Sequence, residues 1–259
     1  MADLVYGTAW KEERTARLVR LALDQGFRAI DTANQRKHYH EAQVGEAIAH
    51  LPRASLFVQT KFTFVEGQDA RLPYDREAPI AEQVAQSFAS SLVHLGTDYL
   101  DAYLLHGPQR RVGLAAADWD AWNAMELLHS TGKARALGVS NVSLDQLQTL
   151  HAKARVKPAF VQNRCDATHG WDSAIRTFCA AHSIRYQGFS LLTANPQAIA
   201  AARPIAARLH ATPEQVVLRF AVHVGMLALT GTSSATHMQD DLAAMHLTLS
   251  EEDVRTLGG

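Results

Sequence analysis

Short apolar runs rich in branched side chains alternate along the chain with longer stretches whose apolar positions recur every three or four residues. The short runs read as strands and the long ones as helices. Strand-like runs cover 4–8, 27–32, 55–62, 101–106, 134–140, 158–163, 184–191 and 226–231. Helical periodicity follows each of them, over 12–25, 41–50, 79–95, 118–131, 144–153 and 172–182, then through 209 after the seventh and over 236–245 after the eighth. A further helix over 213–224 is expected just before the last strand. Start and stop signals agree. Ser143 with Gln146 three residues on has the form of a capping box, and Thr212-Pro213-Glu214 puts a hydroxyl before a proline at the first helical position. Gly26, Gly96, Gly132 and Gly225 fall where helices should stop.

Eight strand–helix units in alternation require parallel pairing, because parallel strands need crossover connections. A closed barrel and an open doubly wound sheet both meet that demand. An open dinucleotide-binding sheet carries Gly-x-Gly-x-x-Gly after its first strand. Here that position reads Gly7-Thr8-Ala9-Trp10-Lys11. The strand count and the length of 259 residues, close to the roughly 250 of one barrel, favour a single (β/α)8 TIM barrel domain over residues 1–259.

Charge and cysteine content narrow the partners. The formal net charge is -1, from 25 basic and 26 acidic residues, which offers no electrostatic footprint for nucleic acid or an anionic membrane. Cys165 and Cys179 form neither a disulfide framework nor a zinc motif and fit a reducing compartment. The N-terminal segment lacks the basic-then-apolar form of a signal peptide, and no run is long and apolar enough to span a bilayer. The expectation is a soluble, cytoplasmic protein. No association motif stands out, which points to a monomer or weak oligomer.

In a barrel, chemistry gathers at the C-terminal ends of the strands. Those ends carry Asp31, Lys61, His106, Ser140 with Asn141, Gln162 with Asn163, Phe189 with Ser190, and the segment Gly231, Thr232, Ser233, Ser234. An ionisable group at the tip of an apolar strand costs free energy unless it is paired. Three consecutive strands deliver an acid, an ammonium and an imidazole to one rim. Either they form a structural ion-pair network at the barrel mouth, or they are a reacting group. His38 and His40, with Glu41 beside them, offer a His-x-His metal site of the kind a metal-dependent hydrolase uses. They sit in a loop past the second strand, and no histidine ends the fifth or sixth. Solvated loop histidines are the plainer reading, and no metal is expected.

Taken in order, GFRAIDTA (26–33), VGEAI (44–48), QTK (59–61), LGTDYLDAYLLHGP (95–108), GKARALGVSN (132–141), VQN (161–163) and LTGTSS (229–234) resemble the aldo-keto reductases over the length of the chain. The resemblance implies an enzyme that moves a hydride between a nicotinamide cofactor and a small-molecule carbonyl compound. It implies a catalytic tetrad of Asp31, Tyr39, Lys61 and His106. Tyr39 is the only tyrosine in its loop, lies further from Asp31 than the family pattern has it, and reads as following an insertion. A free phenol near pKa ~10 is a slow acid and a rarely ionised base at neutral pH. The Lys61 ammonium would lower that value, Asp31 would hold Lys61 ionised, and His106 would orient the substrate oxygen.

The same resemblance implies that Ser140, Asn141 and Gln162 hold the nicotinamide carboxamide and that Phe189 stacks on its ring. Ser190 and Leu192 would lie along the pyrophosphate. Gly231, Thr232, Ser233 and Ser234 would meet the adenosine phosphates through backbone N–H groups. Relatives that prefer NADPH often carry a lysine and an arginine in this last segment. This chain has neither; His237 sits near the arginine's position, and Asp240 and Asp241 follow, with Asp241 counted in the cofactor site. Family habit implies NADPH, and NADH or dual use stays open. Trp10 and Trp119 are the expected substrate-pocket residues, and at least one of Trp119 and Trp122 is expected in the core. The chain ends soon after its last helix and starts almost on its first strand. No C-terminal tail is expected over the substrate and no N-terminal hairpin under the barrel, which suggests an open pocket. The alternative is a nucleotide-binding regulatory barrel with little turnover.

Overall fold

The computed structural model describes residues 3–258, so Met1, Ala2 and Gly259 of the expected 1–259 domain lie outside it. Its eight strands are β1 (Leu4–Gly7), β2 (Ala29–Asp31), β3 (Phe57–Phe62), β4 (Ala102–Leu105), β5 (Leu137–Ser140), β6 (Phe160–Arg164), β7 (Arg185–Phe189) and β8 (Met226–Thr230). They pair in chain order, all parallel, and β8 closes back on β1 through Leu4↔Ala228, Val5↔Leu229 and Tyr6↔Thr230. The expected closed barrel is therefore the fold, and the open sheet is not.

Among the described residues, ten α-helices follow in order. They are α1 (Thr15–Gln25), α2 (Glu41–Ile48), α3 (Ile80–Leu95), α4 (Ala116–Ser130), α5 (Leu144–Lys153), α6 (Ser173–Ala181), α7 (Pro196–Leu209), α8 (Pro213–His223), α9 (Ala235–Ala243) and α10 (Glu251–Gly258). The capping signals act as the chain suggests. Ser143 Oγ accepts from Gln146 N–H at 3.3 Å while Gln146 Oε1 accepts from Ser143 N–H at 3.0 Å, and Thr212 with Gln215 repeats the exchange at 3.2 and 2.9 Å. Gly26 ends α1 at φ 116° and Gly96 ends α3 at φ 61°, both left-handed positions that favour glycine.

Two differences have local causes. The first helix opens with a short 3-10 turn at Glu12–Arg14 before α1 begins. The last helix, α10, is missing from the periodicity reading because its eight residues hold only Val254 and Leu257 as large apolar groups. Tertiary contacts hold it instead: Trp171 Nε1 donates to Leu257 O at 2.8 Å, and Arg208 pairs with Asp253 at 2.6 Å.

Alternation along each strand sorts side chains between two cores. Outward residues such as Tyr6, Tyr103, Val161 and Met226 pack under the helices. Inward residues Val5, Ala29, Ala102, Leu104, Phe160, Leu227 and Leu229 fill the lumen. Phe57 and Phe160 meet there at 5.6 Å between ring centroids. Following the inward face upward changes its chemistry. Ala29 is followed two residues on by Asp31, Phe57 by Gln59 and then Lys61, and Phe160 by Gln162. The lower lumen is apolar and packed, while the upper lumen is polar and opens on a cavity. Among the described residues, no helix is long and apolar enough to cross a membrane.

Candidate active site

A cavity of about 800 Å³ lies over the C-terminal ends of the strands. Its wall takes in Trp10, Asp31, Tyr39, His106, Ser140, Asn141, Gln162, Phe189, Ser190, Leu192, Gly231, Thr232, His237 and Asp241. Lys61 is not on the wall; it is wholly buried just beneath it.

Asp31 and Lys61 form a close ion pair, with Lys61 Nζ 2.6 Å from Asp31 Oδ1 and 2.9 Å from Thr32 O. Tyr39 reaches this pair despite its long spacing from Asp31. The extra residues are taken up by a tight turn in which His38 and Tyr39 both donate N–H groups to Gln35 O, at 3.1 and 3.0 Å. Gln35 Nε2 ties the turn to Gly67 O at 2.6 Å. The turn lays the Tyr39 ring over Lys61, with Nζ 5.3 Å from the ring centroid, and edge-on to His106 at 6.0 Å between centroids. Asp31, Tyr39 and His106 of the expected tetrad thus meet on the cavity floor, with Lys61 directly beneath them.

Their protonation differs from the expectation in one respect. The Tyr39 phenol is pushed above its ordinary range rather than lowered, chiefly by burial and then by the Asp31 carboxylate. Lys61 lies under the ring face and is already paired with Asp31, and it does not offset this rise. Burial pushes Lys61 down, opposed by Asp31. Burial likewise lowers His106 to about 3, with Lys61 and His38 acting in the same direction, so its ring is neutral at physiological pH.

A buried amide cluster supports the group, and only one of its three glutamines figures among the expected site residues. Asp31 Oδ1 accepts from Gln59 Nε2 at 2.6 Å and from Gln162 Nε2 at 2.9 Å, besides Lys61. Gln187 Oε1 accepts from the same two amides at 2.7 and 2.8 Å, and Gln187 Nε2 returns a bond to Gln59 Oε1 at 2.8 Å. Gln59 shares its face of β3 with Lys61 and Gln187 its face of β7 with Phe189, so strand alternation was the signal that could have found both. A second link runs through the backbone: Asn141 Nδ2 donates to His106 O at 2.8 Å and to Ser140 Oγ at 3.1 Å.

Three expected residues stand elsewhere. Trp119 does not line the cavity; it lies on α4 and packs against the outer core, where Trp122 is fully buried. Ser233 is exposed and off the wall. Ser234 is also off the wall and caps α9, its Oγ accepting from His237 N–H at 3.4 Å. Trp10 does stand at the rim. It is 64% exposed, held at φ 62° by its N–H bond to His38 O at 2.8 Å and by a ring contact with His38 at 3.8 Å. The His-x-His pair diverges. His38 faces Trp10, His40 Nε2 lies 3.8 Å from Glu13, and Glu41 turns inward to Ser91 and His94.

The far end of the cavity holds a cation that the linear sequence conceals. Lys11 is buried on the wall and donates to Gly231 O, with no carboxylate in ion-pair range among the described residues. It is brought beside the segment after β8 by closure of the barrel. Close by, Asp241 is buried and accepts from Thr230 Oγ1 at 2.6 Å. Burial pushes its carboxyl up to about 6 from 3.8. A carboxyl raised on folding adds stability below its unfolded value and loses it as pH rises through its folded value. Asp241→Asn should therefore gain stability relative to the native chain between about pH 4 and 7, by roughly 1–3 kcal/mol. Thermal unfolding of both proteins across that window checks this, and a constant difference would show that Asp241 is not proton-linked.

Comparison with known proteins bears on the whole chain. The model of the Aldo/keto reductase family matches residues 3–258. An aldo-keto reductase of Mycobacterium marinum is 32% identical over 255 residues, covering 96% of this chain and 83% of that protein. An NAD/NADP-dependent indole-3-acetaldehyde reductase of Schizosaccharomyces pombe is 28% identical over 254 residues, covering 93% and 81%. Among solved structures, an aldo/keto reductase from Brucella melitensis superimposes with a TM-score of 0.83 at 25% identity, over 100% of this chain and 94% of that one.

Proposed function

The chain belongs to the aldo/keto reductase family of oxidoreductases, and from that premise we propose that it reduces aldehydes or ketones to alcohols with NADPH, accepting NADH as well. The observation that carries this reading is the meeting of Tyr39, Asp31 and His106 on the floor of a cavity about 800 Å³ in volume, with Lys61 buried beneath them. That volume is in the range of cofactor sites.

A reduced nicotinamide, when bound, would supply hydride for the carbonyl carbon. The chain's own residues handle the oxygen. Tyr39 donates the proton to it. Burial raises its pKa, so the phenol is a weak acid by itself and the transfer draws on the charge beneath the ring. His106, neutral, hydrogen-bonds the same oxygen and orients it. Asp31 holds Lys61 under the Tyr39 ring, where its charge stabilises phenolate as the proton leaves.

The donor set fits a nicotinamide cofactor. The amides of Gln162 and Asn141 reach the cavity, Phe189 offers a flat face, and Lys11 meets the need for a cation at the phosphate end. The α9 N-terminus lies beside it and adds a partial positive charge. A cation at the pyrophosphate, which both dinucleotides carry, supports binding of either. The name of the Schizosaccharomyces pombe relative, NAD/NADP-dependent, is in line with dual use.

The test is fluorescence titration with NADPH and NADH separately, beside reduction of 4-nitrobenzaldehyde. Both nucleotides are expected to bind and to support turnover. Lys11→Met should weaken binding about 10–100-fold, the worth of one charge-assisted bond. Failure of both nucleotides to bind removes the reductase reading. Binding without turnover returns the regulatory barrel.

A further inference from the structure

We propose that Thr63 is a positioning residue that sets the ring tautomer of His106, so that His106 presents an Nε2–H donor to the cavity. The functional consequence rests on the reductase reading above; the tautomer itself does not.

Thr63 is the residue after β3, two beyond Lys61, and it is buried. Its Oγ1 lies 2.7 Å from His106 Nδ1. Three contacts fix its orientation. Its carbonyl accepts from Tyr74 OH at 2.7 Å and from Gln68 Nε2 at 3.4 Å. Its Cγ2 rests against Gly67, where an added Cβ would fall 2.6 Å away, so a glycine there leaves the space the methyl occupies. With carbonyl and methyl both placed, the hydroxyl is left directed at the imidazole. His106 is held from its own side, its N–H donating to Phe62 O at 2.9 Å and its O accepting from Asn141.

A neutral imidazole carries one N–H, so the contact has two readings. If Nδ1 carries the proton it donates to Thr63, and the buried hydroxyl hydrogen then needs another acceptor. Thr63 Oγ1 has no second partner among the described residues. If Thr63 donates, its hydrogen is satisfied, Nδ1 is the acceptor, and the proton sits on Nε2. Only the second arrangement leaves no buried donor unpaired. Burial favours the neutral ring that the argument requires. The outcome is a preset donor for a carbonyl oxygen on the cavity side, where a bare Nε2 would repel it. Thr63 thereby serves the chemistry without touching the substrate.

Nitrogen NMR of histidine-labelled protein reads the tautomer directly in the unliganded chain, with the His106 signal assigned by its loss in His106→Gln. The native protein and Thr63→Ser should both show the Nε2–H form. Thr63→Val keeps the shape, removes the hydroxyl, and should shift His106 toward Nδ1–H or a mixture. In aldehyde reduction, kcat should fall about 10–100-fold in Thr63→Val, recover in Thr63→Ser, and leave nucleotide affinity unchanged. An Nδ1–H native ring, or a Thr63→Val ring unchanged from native, overturns the proposal. Should Thr63→Val fail to fold, Thr63→Ala, which also lacks the hydroxyl, reads the same shift, and a ring unchanged from native there overturns the proposal equally. A Thr63-dependent Nε2–H ring in a protein that binds no nucleotide would sink the reductase reading while leaving the tautomer assignment standing.

Discussion

Tyr39→Phe is expected to lower kcat for aldehyde reduction by about 10²–10⁴-fold, the usual cost of losing a general acid. The substitution removes one oxygen and keeps the ring that covers Lys61 and meets His106 edge-on. Packing and nucleotide affinity should therefore stay close to native. The large effect belongs to the proton, because no second group stands ready to give one. His106 is neutral and Lys61 is buried beneath the wall, committed to Asp31 and Thr32. Steady-state kinetics with 4-nitrobenzaldehyde, beside a fluorescence titration with NADPH, separate the two quantities. A kcat within about threefold of native would remove Tyr39 from the proton-donor role.

Lys61→Met should destabilise the protein by about 3–5 kcal/mol, or on the order of 10 °C in Tm. Both partners of the Asp31–Lys61 pair are buried, and removing one leaves a carboxylate in the lumen with only amide partners. The energy lost is mainly that of the uncompensated Asp31 charge. Adding Asp31→Asn to Lys61→Met should then recover part of the stability while activity stays lost. Thermal and urea unfolding of the single and double variants measure this. A single-variant loss under about 1 kcal/mol would mean that water reaches Asp31 through the cavity and that the pair is not sealed. A double variant no more stable than the single one would mean that packing, not charge, made the difference.

Much of this protein is legible residue by residue, and the reason is locality. Alternation at a period of two marks the strands and also says which side chains share a face. That is why Asp31, Lys61 and Gln162 could be assigned to one rim. The cap of α5 at Ser143 and that of α8 at Thr212 each involve groups within three residues. Elements weak in pattern escaped: α10 has too few apolar positions to reveal its period, and contacts from distant Trp171 and Arg208 hold it.

What the sequence by itself determined is the order of strands and helices, the barrel they imply, and the strand ends that carry Asp31, Lys61, His106, Ser140, Asn141 and Gln162. Tertiary structure decided the rest. Closure of β8 on β1 put Lys11 beside Gly231, joining residues from opposite ends of the chain. The turn on Gln35 O brought Tyr39 over Lys61 despite its long spacing. The sheet's curvature turned Gln59 and Gln187 toward each other, and the helix layer drew Trp119 against the outer core, away from the cavity. Burial then raised the Tyr39 phenol against the sign that its charged neighbour alone suggests. Periodicity and capping depend on neighbours a few residues away and are written in the chain. Ion pairing across a barrel and loss of water depend on which surfaces meet, and that exists only once the barrel has closed.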